Sequence, residues 1–115
     1  MRTGPTNVYL KTLIRDLKRH CVKEKVELWG ALAKDLSVAA RRRRAVNLNR
    51  INKYAHDNET VVVPGKVLGV GEITKNISVC AFDFSSSAKA KIKNTVDFYD
   101  LMKNNPKGKN IRIIG

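Results

Sequence analysis

Acidic residues are scarce in this chain: 10 Asp and Glu stand against 23 Lys and Arg, a net charge of +13 over 115 residues. Unbalanced charge of that size repels itself and opposes compaction, and a bound polyanion relieves it. Nucleic acid leads the candidates, and an anionic membrane surface follows. Cysteine is scarce too. Cys21 and Cys80 stand far apart and form no Cys-x-x-Cys pair, so neither a zinc site nor a disulfide framework is suggested. No apolar run approaches the roughly 20 residues of a membrane span. No hydrophobic signal segment follows Met1. The expectation is a cytoplasmic protein without a membrane partner.

Catalytic and cofactor patterns are also missing. A P-loop needs Gly-x-x-x-x-Gly-Lys followed by Ser or Thr, so that backbone amides cradle phosphate and a hydroxyl reaches Mg²⁺. Here Gly65-Lys66 runs into Val67, and Thr60 stands where the first glycine belongs. The dinucleotide fingerprint fails at Thr74, which follows Gly69-x-Gly71 at the third glycine position. His20 and His56 sit among cations, with no Cys or carboxylate at metal-ligand spacing. The carboxylates are scattered, and Ser85-Ser86-Ser87 reads as a helix cap and not a nucleophile. The expectation is therefore no enzyme, no cofactor, no metal and no small-molecule substrate.

What is present suggests an α/β protein. Hydrophobic residues make up 43% of the chain, and a chain of this length buries roughly two thirds of its unfolded surface as a single domain. Met1 to Thr6, with Gly4-Pro5, reads as an extended arm. Asn7 caps a helix whose apolar positions Leu10, Leu13, Ile14, Leu17 and Cys21 follow helical spacing. Lys11, Arg15, Lys18 and Arg19 lie off that stripe, as a solvated face or a contact face. A shorter pattern through Val26, Trp29, Leu32, Ala33 and Leu36 makes Trp29 a core anchor between two helices.

From Leu36 to His56 there is no carboxylate, while Arg41, Arg42, Arg43, Arg44, Arg50 and Lys53 accumulate. Read as a helix, this stretch has a narrow apolar face of Leu48, Ile51 and Ala55. Arg43, Asn47, Arg50 and Tyr54 then share an adjacent polar face. Guanidinium groups bind phosphate through paired donors, and amides and phenols reach sugar, phosphate or base edges. Nothing nearby offsets the repulsion of these cations, which points to polyanion contact.

Residues 7–56 are thus expected to be helical and basic, and residues 57–115 to form a β-rich α/β core. A strand is expected at Thr60–Val63, ended by Pro64-Gly65, with Lys66-Val67-Leu68 a short continuation and Gly69-Val70-Gly71 a corner. Both alternating sets of Ile77 to Phe84 are mostly apolar, as in a strand covered on both faces. A helix capped by the serines follows, then a small unit from Val96 to Met102 with Asp97 as cap. The chain ends in a Pro/Gly/Lys loop and a strand at Ile111–Ile114.

Several phrases together carry a resemblance. They are Val46-Asn47-Leu48-Asn49-Arg50-Ile51-Asn52-Lys53-Tyr54 after the arginines, and Val61-Val62-Val63-Pro64-Gly65-Lys66-Val67-Leu68-Gly69-Val70-Gly71. Ala81-Phe82, Phe84-Ser85, Ala88, Lys91-Ile92 and Asn105-Pro106-Lys107-Gly108 with Ile111–Gly115 extend them. The chain closely resembles the archaeal large-subunit ribosomal protein family of the eighteen-e type, related to bacterial protein fifteen. It departs from the family at Lys93-Asn94-Thr95-Val96, where relatives carry Ala-Gly-Gly and a longer link. The resemblance implies N-terminal helices followed by an irregular superhelix of short β-β-α units. It also implies a structural constituent of the large ribosomal subunit, with large-subunit rRNA and neighbouring ribosomal proteins as partners.

On that reading Arg41–Arg44, Arg50 and Lys53 neutralise phosphates, and Asn47, Asn49 and Tyr54 reach sugar or base. Lys66, Lys107, Lys109 and Arg112 extend the track. The alternative is a helix-turn-helix-like DNA-binding module, two short helices followed by a basic one, which leaves the strand-rich half unexplained.

Overall fold

β-branched side chains lose rotamer freedom in a helix and pack well on a pleated surface. Their densest run, Val61 to Val63, lies in the central strand of the sheet. The computed structural model describes residues 5–42 and 45–114, without the side chains of 5–7 and 39–42. Its elements are α1 (Pro5–Glu24), α2 (Glu27–Arg42), β1 (Ala45–Asn47), α3 (Leu48–Tyr54), β2 (Thr60–Leu68), β3 (Ser78–Phe84), α4 (Ser86–Lys91), β4 (Thr95–Val96), α5 (Phe98–Asn104) and β5 (Ile111–Ile113). Among the described residues every strand pairing is parallel. β2 pairs β3 along one edge. On its other edge β5 takes the first half and β1 the second, while β4 lies outside β3.

Alternation along the strands sends side chains into two separate cores. Val61, Val63, Val79 and Ala81 pack with Leu48, Ile51 and Ala55 from α3 and its exit, and with Ala88 of α4 and Ile92 at its C-terminal cap. Val62 and Cys80 pack the other way, against Leu13 and Leu17 of α1, Trp29, Leu32 and Leu36 of α2, and Phe98 and Leu101 of α5. The sheet is thus covered on both faces, the α/β arrangement expected from its doubly apolar strands. Each fully buried Val or Leu contributes about 1.5–3 kcal/mol. Burial in the second core also pushes the Cys80 thiol up, away from reactivity.

Local signals end the helices. Lys25 adopts the left-handed conformation (φ 58°) between α1 and α2. Ser85 Oγ accepts from the Ala88 amide at 3.2 Å and caps α4, and Asp97 accepts from the Tyr99 amide at the start of α5. Two phenol–carboxylate bonds join α1 to the α5 unit: Tyr9 donates to Asp97 at 3.2 Å, and Tyr99 donates to Asp16 at 2.7 Å. Burial first, then these carboxylates, push both phenols up to about 12.

Four expectations need correction. α1 begins at Pro5, so Pro5 and Thr6 are helical and Asn7 is not the cap; proline suits a first turn, where its missing N–H has no partner to lose. The arginine-rich stretch is not one helix: α2 runs to Arg42, and Ala45–Asn47 pair with Lys66–Leu68 as β1 before α3 begins. Asn47 therefore precedes α3 in extended backbone (φ −84°, ψ 156°) and does not share a helical face with Arg50 and Tyr54. β2 does not stop at Val63 but continues through Pro64-Gly65 to Leu68, its register against β3 shifting between Val63 and Lys66. The short β4 at Thr95–Val96, only two residues long, has no counterpart among the expectations from sequence.

Trp29 is fully buried, and its indole Nε1 donates to the Pro106 carbonyl at 2.8 Å, tying the tail loop to α2. Trp29→Phe leaves that carbonyl without its donor. The expected loss is about 1–3 kcal/mol, seen as a lower urea midpoint at unchanged m-value.

Candidate nucleic-acid interface

α3 is fastened to the fold on one side. Leu48 and Ile51 are fully buried. The Asn52 side chain donates to Thr74 Oγ1 at 3.1 Å and accepts from the Thr74 amide at 3.0 Å. Lys75 Nζ donates to the Ala55 carbonyl at 2.6 Å, where a helix C-terminus favours a cation. This leaves Asn49, Arg50, Lys53 and Tyr54 exposed on the opposite side. The Arg50 guanidinium lies 5.2 Å from the Tyr54 ring centroid and the Lys53 ammonium 5.3 Å, within cation–π range. Among the described residues neither cation has a carboxylate in ion-pair reach.

The glycine corner lies between α3 and α4. The Asn49 amide donates to the Val70 carbonyl at 3.0 Å. Lys91 Nζ donates to the Gly69 carbonyl at 2.8 Å and to the Gly71 carbonyl at 3.0 Å. Gly71 has φ +106°, and a Cβ there would meet the Asn49 amide nitrogen at 2.6 Å; at Gly69 it would run into Ser87. The corner turns carbonyl oxygens toward an ammonium group, the opposite polarity from a phosphate cradle.

The other sequence candidates are dispersed. Arg41 and Arg42 close α2, their side chains outside the described ones, and Arg43 and Arg44 lie outside the described residues. Ala45 is registered with Lys66, so the exit of the arginine run stands beside that lysine. Lys66 is exposed and only 4.0 Å from Asp83, a pair that contributes little in water. Asn47 Oδ1 is buried without a hydrogen-bond partner among the described residues. Lys107 pairs with Glu24 at 3.2 Å. Lys109 is exposed, its amide donating to Asn105 Oδ1. Their loop packs at the start of α2, on the sheet face away from α3. The structure brings Arg50, Lys53 and Tyr54 together and leaves Lys107 and Lys109 remote from them.

Arg112 is held differently. Its Nε and Nη2 donate to the two Glu59 carboxylate oxygens at 2.8 and 3.0 Å. Glu59 Oε1 also accepts from the His56 amide at 2.8 Å. The Arg112 bond first, and the His56 amide next, pull Glu59 down to about 2; Arg112 is pushed up in turn. This arginine staples the edge strand β5 to the exit of α3. The basic residues overlooked in the sequence, Lys75 and Lys91, are tied to backbone carbonyls across separations of about 20 residues, which no local pattern reveals.

Comparison with known proteins matches residues 27–95 to a family model described as the ribosomal proteins 50S-L15, 50S-L18e and the 60S protein twenty-seven-A. The chain is 43% identical over 112 residues to the large ribosomal subunit protein eL18 of Haloarcula marismortui, covering 95% of this chain and 97% of that one. It is 41% identical over 121 residues to the protein of the same name from Methanopyrus kandleri, covering 97% and 95%. The Archaeoglobus fulgidus protein of that name is 41% identical over 113 residues, covering 95% and 97%.

The Glu59–Arg112 pair has a pH signature. Folding lowers Glu59 from its ordinary 4.5 to about 2, so its stabilisation is complete above about pH 4.5 and is lost as pH falls toward 2. Glu59→Gln should lower the urea midpoint at pH 7 and flatten the stability–pH curve between those values. An acid limb as steep as the parent's would exclude the pair as its source.

Proposed function

The chain belongs to the ribosomal protein family of 50S-L15, 50S-L18e and the 60S protein twenty-seven-A, and from that premise we propose that it is a structural constituent of the large ribosomal subunit in the cytoplasm that binds and stabilises folded large-subunit rRNA. The role is structural and not catalytic, with rRNA and neighbouring large-subunit proteins as its partners. The observation that carries the RNA contact is α3, whose outer side presents Arg50 and Lys53 around Tyr54, without a carboxylate partner among the described residues. Its inner side is locked into the core through Leu48 and Ile51.

Arg50 and Lys53 neutralise phosphates, and Tyr54, 45% exposed, offers a ring face or hydroxyl to a splayed base or sugar. Asn49 adds an amide at the same surface. Lys66 extends the contact in the second half of β2, and Arg41–Arg44 extend it in the sequence before β1. Asn47 belongs with them only if RNA satisfies its buried Oδ1. Arg112 is left out of the contact set, because Glu59 already holds its fork. The helix-turn-helix rival has no support here: β1 separates α2 from α3, and α3 packs on a sheet.

Arg50→Ala/Lys53→Ala/Tyr54→Ala should weaken binding to a large-subunit rRNA fragment at least ten-fold while leaving the fold intact. Each lost phosphate contact should lower the salt slope by about 0.7–0.9, so removal of both cations lowers it by about 1.4–1.8. Unchanged affinity and slope, or equal competition by duplex DNA, would overturn the reading. Sedimentation of the tagged chain apart from the large subunit would overturn its place in the ribosome.

A further inference from the structure

α1 and α5 belong to the layer on the sheet face away from α3, and a groove of about 330 Å³ lies between them. Its floor holds Met102, nearly buried, with the half-buried rings of Tyr99 and His20. Arg19 and Lys23 on α1 and Lys103 on α5 line it as exposed cations. Among the described residues none of the three is within ion-pair reach of a carboxylate. Asp16, the carboxylate that lines the groove, accepts from Tyr99 at 2.7 Å and from Arg15 at 3.3 Å. Its charge is thereby engaged from both sides. His20 packs edge-to-face on Trp29, and its Nε2 is buried without a hydrogen-bond partner among the described residues.

We propose that this groove holds a second, single-stranded segment of large-subunit rRNA, with a splayed base over Tyr99, Met102 and His20 and its flanking phosphates on Arg19, Lys23 and Lys103. The chain then bridges two RNA segments across its sheet, one at α3 and one between α1 and α5. This rests on the rRNA-binding reading above and extends it to a face that reading does not use. Arg19 and Lys23 are one helical turn apart, about 5–6 Å at Cβ, close to the spacing of successive phosphates along a strand. A floor of phenol, imidazole and thioether suits a base, which stacks on aromatic faces. An acidic peptide fits less well. Both walls are helices, whose backbone groups are already bonded, so no strand edge is offered for it to pair with.

The test is ultraviolet crosslinking of the chain bound to protein-free large-subunit rRNA, with both peptides and nucleotides sequenced. Two RNA segments are expected, distant from each other in the RNA sequence, one crosslinked within α3 and the other at His20 or Tyr99. Arg19→Ala/Lys23→Ala/Lys103→Ala should reduce the second crosslink at least ten-fold, leave the first in place and lower the salt slope by about 2. Arg50→Ala/Lys53→Ala should do the reverse. The bridge is overturned by a groove without RNA crosslinks, by a second crosslink that survives the triple substitution, or by labelling of the groove by an added polyglutamate peptide and not by RNA. In those outcomes an intact α3 crosslink leaves the first reading standing. Absence of both crosslinks overturns the two together.

Discussion

β2 is paired on both edges, and its first half is packed on both faces, so Val61 to Val63 have to suit a partner on every side. Three consecutive valines meet the demand in its first half, Val61 and Val63 facing one core and Val62 the other. Pro64 has no N–H to give a ladder, yet it lies inside the strand. It is tolerated because the edge partners change there: β5 ends opposite Val62 and β1 begins opposite Lys66. On the other edge the register with β3 shifts over the same residues. The missing donor thus falls in a gap common to both edges. The gap in turn sets where β1 docks, hence where α3 starts and where the arginine run leaves α2. A proline that reads as a strand terminator is the joint between two partners.

Much of this fold was legible in the sequence because its signals are short-range. The helical stripe of Leu10, Leu13 and Leu17, the doubly apolar Ile77–Phe84, the Ser85 and Asp97 caps and the terminal strand all became the elements expected of them. The resemblance to the family came from phrases on either side of the glycine corner, and the comparisons agree with it. What the sequence hid was set by distant partners. Ala45-Val46-Asn47 is a strand only because Lys66–Leu68 is free to pair with it. A helical wheel drawn across the arginines therefore put Asn47 beside Arg50, when a strand-to-helix junction divides them.

The candidate interface divides along the same line. Composition announces that cations are in excess but not which of them the fold already uses. Lys75 and Lys91 hold backbone carbonyls, and Arg112 holds Glu59, so three basic side chains are internal fittings. Arg50 and Lys53 instead flank an exposed ring on a helix whose other side is buried. Arg19 and Lys23 look in the sequence like any solvated helix face. Only the approach of α5, fastened by Tyr9–Asp97 and Tyr99–Asp16, turns that face into one wall of a groove.

These uses of charge differ in one respect that bears on function. A carbonyl that binds an ammonium group satisfies its donors and does not cancel its charge, so Lys75 orders the fold while leaving its self-repulsion in place. Rearranging intramolecular ion pairs cannot change the net +13 either. That repulsion grows as the chain becomes compact, and only an external anion lowers it. An anion that recognises the folded surface better than the open chain stabilises the fold by its differential affinity. The free cations sit on helices that the two cores hold still, so their spacing exists only in the folded state. A polyanion on the proposed surface would thereby be coupled to folding: the charge that opposes compaction in isolation is the charge that, once compact, would select it.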